Sequence, residues 1–133
     1  MLNSTASVLI TDDDEAVRIS LKVHFEDEGY SVSTASSAEE SLVIMDKQWF
    51  DIAVIDLRLP VMDGMDLIRE AHSRWPRMGF IIHTGSIEYD LADDIIALPQ
   101  VSKKIFIKPV SDLKIFSKEA EQLMIGKEVG HEK

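Results

Sequence analysis

The sequence has no cysteine among its 133 residues, which excludes disulfides, thiolate metal sites and cysteine nucleophiles, and fits a reducing compartment. Nor does it have a cluster of basic residues: 14 Lys and Arg stand against 24 Asp and Glu, a formal net charge of −10. An excess of that sign repels nucleic acid and anionic membrane surfaces, so neither is expected as a direct partner. Lys103 and Lys104 are too few to make a patch. No apolar run approaches the ~20 residues that cross a bilayer, and the amino terminus, MLNSTAS, lacks the basic and long apolar segments of a leader. Secretion and membrane spanning are therefore not expected, and the cytoplasm is. Repeats, low-complexity tracts and linkers are absent as well. At this length, with 45% apolar residues, a single domain with a real core is expected.

What is present is an alternation of two periodicities. A strand-like run at 7 to 11 precedes Val17, Leu21 and Phe25, which share one helical face, and Gly29 ends that helix. Tyr30 to Ala35 alternates again, and Ser37-Ala38-Glu39-Glu40 fits a capping box opening a helix through Leu42, Val43 and Met45. The continuously apolar run between Asp51 and Asp56 reads as a central parallel strand covered on both faces. A Pro60 to Gly64 turn leads into a helix with Leu67, Ile68 and Ala71, which Pro76 stops after Trp75. Gly79 to Thr84 makes a fourth strand, 90 to 98 a helix, and 103 to 107 a fifth strand. Ser111 then caps a last helix carrying Leu113, Phe116, Ala120 and Leu123. These five βα pairs predict an α/β fold, a doubly wound five-stranded parallel sheet in the flavodoxin-like (βα)5 order 2-1-3-4-5, with helices on both faces. The domain is expected over 1–126, with 127–133 a frayed tail.

Four strands run into polar residues suited to phosphate chemistry: VLIT into Asp12-Asp13-Asp14, IAVI into Asp56, FIIH into Thr84, and KIFI into Lys108. Open α/β sheets place ligands at these carboxyl ends. Asp12, Asp13 and Asp56 come onto adjacent strand ends in the 2-1-3-4-5 order, and three carboxylates so close either raise a pKa or recruit a cation. Oxygen-only ligands favour a hard ion such as Mg2+. Helix capping is the competing role for the acid run, and Asp14 is assigned to it. Asp56, at the rim of a buried strand, can attack phosphorus, with Thr84 and Lys108 supplying a hydroxyl and an ammonium.

In these motifs the chain resembles the response-regulator receiver domain, the phosphoacceptor module of two-component signalling. The resemblance runs from VLITDDDEAVR through DIAVIDLRLPVMDG and HTGS to FIKP. It implies that Asp56 is the phosphorylated residue and that Asp13 binds Mg2+ directly while Asp12 helps through water. It also implies that the backbone carbonyl of Arg58 completes the protein's share of the metal shell, that Thr84 is the switch hydroxyl, and that Lys108 pairs with the phosphoryl group. Pro109 matches a proline usually preceded by a cis peptide, and Gly64 serves the turn into the third helix. Arg58 and Ser86 flank the incoming group, although a solvent-facing Arg58 is an equal alternative. The implied partners are a sensor histidine kinase or histidine phosphotransfer protein, and a downstream protein target or an output domain outside this chain, which is either a stand-alone receiver or part of a larger regulator or kinase. A homodimer stays open.

Two departures from the family pattern bear on output. From Thr84 to Lys108 is 24 positions, two more than family members commonly have, which places an insertion or remodelled turn around the fourth helix. The aromatic usually three before the lysine is replaced by Ile105, with Phe106 one place later. A non-standard output face is expected; a phosphorylation-dependent dimer on the ordinary fourth-helix and fifth-strand contacts would count against it. Competing functions are a hydrolase of the haloacid-dehalogenase-like kind, a flavodoxin-like binding module, and a degenerate receiver used only for docking. The first needs an acid where Arg58 stands, the second wants Gly, Ser and Thr where Asp12 to Asp14 stand, and the third leaves the intact acids unexplained. His83 reads as a packed core histidine, His24 and His72 as helix positions, His131 as part of the tail, and Trp49 and Trp75 as fillers of core edges.

Overall fold

The two periodicities become five parallel strands and five helices in a computed structural model that describes residues 5–85 and 91–131, with side chains as far as Ile125. The elements are β1 (Ser7–Thr11), α1 (Glu15–Asp27), β2 (Ser31–Ala35), α2 (Ala38–Lys47), β3 (Ile52–Ile55), α3 (Gly64–Arg74), β4 (Gly79–Thr84), α4 (Asp93–Ile96), β5 (Val101–Ile107) and α5 (Lys114–His131). The strand order is β2-β1-β3-β4-β5 and every neighbouring pair is parallel, as expected. Strands β3 and β4 are buried at every position because helices cover both of their faces, whereas the edge strand β2 buries only Ala35.

Alternation along the strands sorts the core into two layers. On one face Leu9, Ala53, Ile55, Phe80 and Ile82 meet Met45, Leu67, Ile68 and Ile95 from α2, α3 and α4. On the other, Val8, Ile10, Val54 and Ile81 meet Leu21, Phe25, Phe116 and Ala120 from α1 and α5.

Local chemistry sets the helix ends. Asp14 caps α1, its Oδ1 accepting from the N–H groups of Ala16 and Val17 at 3.0 and 3.4 Å. Gly29, at φ +96°, follows the C-cap Glu28 in the left-handed conformation that only glycine adopts freely. Ser37 caps α2 by accepting from Glu40 N at 3.1 Å. The second arm of the expected capping box goes elsewhere, because Glu40 Oε1 accepts from Ser36 N at 2.7 Å.

Four expectations need correction. The fourth helix is a single turn, Asp93–Ile96, whose N-cap Ala92 offers no side-chain acceptor. Strand β5 begins at Val101, two residues earlier than expected, and it carries the sheet's one register irregularity: Phe80 pairs with Val101 but Ile82 with Ile105. The two surplus residues of the Thr84–Lys108 interval thus lie inside a strand, as a bulge, beside a shortened α4. Ser111 does not cap α5; the helix starts at Lys114, and Asp112 Oδ1 accepts from Lys114 N at 3.1 Å. Trp49 is 44% exposed, with Nε1 donating to Asp51 Oδ1 at 3.1 Å, because its neighbour Phe50 occupies the core position instead. Trp75 does pack against the core.

Candidate functional site

Asp12, Asp56, Thr84 and Lys108 are each fixed by a ladder bond just beyond, or at, their strand ends. Asp12 N donates to Ala35 O at 3.1 Å, Asp56 N to Thr11 O at 3.0 Å, and Lys108 N to Thr84 O at 2.8 Å. Parallel pairing therefore carries the acids and the lysine to one rim with their backbones satisfied. Asp12 and Asp56 are buried and Asp13 is exposed, and carboxylate oxygens of all three lie within 4.8 Å of one another.

Lys108 joins the two buried acids: Nζ lies 2.8 Å from Asp12 Oδ2 and 3.1 Å from Asp56 Oδ2. The other oxygen of each carboxylate accepts from a backbone N–H, Asp12 Oδ1 from Asp14 N at 2.9 Å and Asp56 Oδ1 from Arg58 N at 3.0 Å. Burial pushes the Asp56 carboxyl above its ordinary range; the Arg58 N–H opposes this, the nearby Asp12 charge adds to it, and Lys108 opposes it again. Burial pulls the Lys108 ammonium down, but its hydrogen bonds and charge contacts with Asp12 and Asp56 leave its pKa raised. Three carboxylates against one ammonium leave the rim negative, so the donor set suits a hard divalent cation.

Asp12, Asp13, Asp56 and Lys108 are thus brought together, and Thr84 is buried at the same rim, its carbonyl bonded to Lys108 N. The side chain of Arg58 is exposed, while its amide holds Asp56. Ser86 lies outside the described residues. The Lys108–Pro109 peptide is cis, as the resemblance implied. Gly64 is needed for space rather than for a turn conformation: a Cβ there would run into the Asp56 carbonyl oxygen and lie 2.7 Å from Leu57 Cα. His83 is a core histidine, packed edge-on against Phe116 with centroids 4.9 Å apart. Its pKa is lowered to about 4 by burial and then by the charge of Lys108. His24 and His72 lie on α1 and α3, His24 Nε2 within 3.1 Å of Ser117 Oγ; His131 is beyond the described side chains.

Two features are not legible in the sequence reading: the Arg18 contact and the layer that Phe106 occupies. Arg18 Nη1 donates to Asp12 O at 2.7 Å, tying the first helix back onto the acid turn. Its sequence signal is no more than an arginine one turn into the helix that follows the acids. Phe106 is buried against Phe116 at 4.7 Å between centroids, while Ile105, across the pleat, is 37% exposed. Moving the aromatic by one position moved it to the opposite layer.

A (βα)5 sheet with paired acids, a lone acid, a buried hydroxyl and a lysine at its carboxyl rim defines a receiver module. The response regulator receiver domain model matches residues 8–118, and the chain belongs to that family. It is 33% identical over 118 residues to the alginate biosynthesis transcriptional regulatory protein AlgB of Pseudomonas syringae, covering 89% of this chain and 26% of that protein. It is 32% identical over 125 residues to the sensor kinase CckA of Brucella abortus, covering 92% of this chain and 13% of that protein. The chain therefore spans about a quarter or less of the length of these relatives. The receiver domain protein (CheY-like) of Methanospirillum hungatei superposes with a TM-score of 0.81 at 33% identity, over 96% of this chain and 99% of that one. The chain is a receiver domain of two-component signalling, a phosphorylation-dependent switch. Among the described residues no helix is long and apolar enough to cross a membrane.

Proposed function

We propose that Asp56 accepts a phosphoryl group from a phosphohistidine on a sensor kinase or phosphotransfer protein. A carboxylate oxygen of Asp56 attacks phosphorus, the P–N bond to the donor imidazole breaks, and the electron pair stays on that nitrogen, which takes up a proton. Asp12, Asp13, Asp56 and the Arg58 carbonyl would hold Mg2+, which supplies positive charge to the transferring oxygens. Lys108 pairs with a phosphoryl oxygen and Thr84 donates its hydroxyl to another, so the new charge rearranges contacts that Lys108 makes with Asp12 and Asp56 beforehand. The chain is catalytic only on itself.

The observation that carries this reading is the double contact of Lys108 with Asp12 and Asp56 inside a group of three carboxylates. A hydrolase reading is disfavoured because an exposed Arg58 stands where a second acid is needed. Downstream, a one-turn α4 and a bulged β5 support a non-standard output face. A kinase such as CckA and a regulator such as AlgB illustrate the kinds of partner, and a cytoplasmic setting belongs to the same proposal. Incubation with acetyl phosphate and Mg2+ tests the chemistry: an acid-stable, base-labile adduct is expected in the wild type and not in Asp56→Asn, whereas steady turnover of phosphomonoesters favours the hydrolase.

A further inference from the structure

The sheet's one irregularity sits in the strand that delivers Lys108. Between the pairs Phe80–Val101 and Ile82–Ile105, one residue of β4 faces three of β5. A one-residue slip would turn every side chain to the wrong layer and is excluded by the two cores. A two-residue slip keeps the alternation but sets Lys104 opposite His83, where Phe106 packs on Phe116, so a strand with two surplus residues has a second register that costs this packing and opens only when the surplus is not held. In that register Ile82 faces Lys103, and Lys108 moves about 6.6 Å along the strand. That is far more than its contacts of 2.8 and 3.1 Å with Asp12 and Asp56 tolerate.

The surplus is held from α5. Ser102 is buried at the start of the bulge, and its Oγ accepts from Lys104 N at 3.1 Å, with Lys104 O a further 3.3 Å contact. The Ser102 hydroxyl donates to Glu119 Oε2 in a short hydrogen bond. Glu119 keeps only 13% of its side chain exposed, and its cationic partner, Lys104 Nζ, is 3.8 Å away. A carboxylate withdrawn from water against so distant a cation is accounted for by its bond to Ser102.

We propose that Ser102 and Glu119 are positioning residues that lock the β5 bulge and so hold Lys108 on the two carboxylates. The consequence for phosphorylation rests on the role of Lys108 given above, but the register does not. Five chains test the proposal: Ser102→Ala, Glu119→Ala, Glu119→Gln, one lacking Lys103 and Lys104, in which no surplus remains, and that shortened chain with Glu119→Ala added. NMR contacts across β4 and β5 report the register, and acetyl phosphate with Mg2+ reports the phosphorylation rate.

In Glu119→Ala and Ser102→Ala, contacts from Ile82 to Lys103 are expected to join or replace those to Ile105, with phosphorylation slowed about tenfold or more. Glu119→Gln, which keeps an acceptor, is expected to hold the native register. In the shortened chain Ile82 is expected to face the residue now numbered Ile105, and adding Glu119→Ala is expected to change nothing. An unchanged Ile82–Ile105 contact in the alanine variants, even with a lower melting temperature, would overturn the proposal. So would equal sensitivity to Glu119→Ala in the shortened chain. A register that responds as described in a protein that takes no phosphoryl group leaves the clasp standing and removes the phosphorylation reading.

Discussion

Lys108 Nζ sits 3.1 Å from Asp56 Oδ2, a contact between residues 52 positions apart that closes the gap between β3 and β5 across the end of β4. In Lys108→Ala three carboxylates share the rim with no ammonium among them. Removing one partner of a buried pair costs ~3–5 kcal/mol in full, and a rim open to water reduces this, so a loss of roughly 2 kcal/mol is expected in urea unfolding without metal. Added Mg2+ is expected to restore more stability to the variant than to the wild type, because a competing cation has gone. Equal Mg2+ responses would contradict this.

Asp56 itself is held at a cost. Its folded pKa is raised, so its favourable contribution to stability belongs to pH below the ordinary carboxylate value and is lost as pH rises through the folded value. At neutral pH without metal, Asp56→Asn is therefore expected to be more stable than the wild type, by about 1 kcal/mol. A less stable variant under those conditions would show that the Arg58 N–H and Lys108 outweigh burial.

His83 gives a pH dependence of its own. With a folded pKa of about 4 against an ordinary value of 6.5, it stays neutral in the fold while the unfolded chain takes up a proton. Its contribution is fully present above about pH 6.5 and is lost as pH falls through about 4, on the order of 3 kcal/mol over the whole window. Many carboxylates titrate nearby, so the comparison that matters is with His83→Phe. The difference in stability between the two chains is expected to shift in the variant's favour between pH 6.5 and 4; parallel curves would place the proton elsewhere.

Val61 combines a φ of +69° with 98% exposure of the residue, on the loop between Asp56 and the Asp63 cap of α3. A β-branched residue is strained in that conformation and makes no burial gain here. Val61→Asn is expected to raise stability by about 1 kcal/mol, read as a higher melting temperature. Gly64→Ala, three residues on, is expected to do the reverse by ~3 kcal/mol or more, since the added methyl meets the Asp56 and Leu57 backbone rather than a side chain that can move.

The parts of the fold legible in the sequence are those decided locally. Strands β1, β3 and β4 follow from apolar runs, the α1 cap from Asp14, and the rim from the polar residue that ends each run. What stayed hidden depends on pairing between distant segments. Pro99-Gln100-Val101-Ser102 reads as a connection because nothing local shows that Val101 pairs with Phe80 or that Ser102 meets Glu119 on α5. The choice of Phe50 over Trp49 for the core is likewise settled by packing, since both rings are apolar and adjacent. The role of Arg18 is hard to read from sequence because its bond goes to a backbone carbonyl, which no residue type announces, rather than to a carboxylate.

The central claim is that Asp56 is the phosphoacceptor, and borohydride reduction of the phosphorylated protein tests it most directly, since it converts an acyl phosphate to the alcohol at the residue that carried it. After treatment with acetyl phosphate and Mg2+, peptide mapping is expected to find homoserine at position 56, with none when the metal is chelated. Homoserine at position 12 or 13, or at no acid, contradicts the assignment.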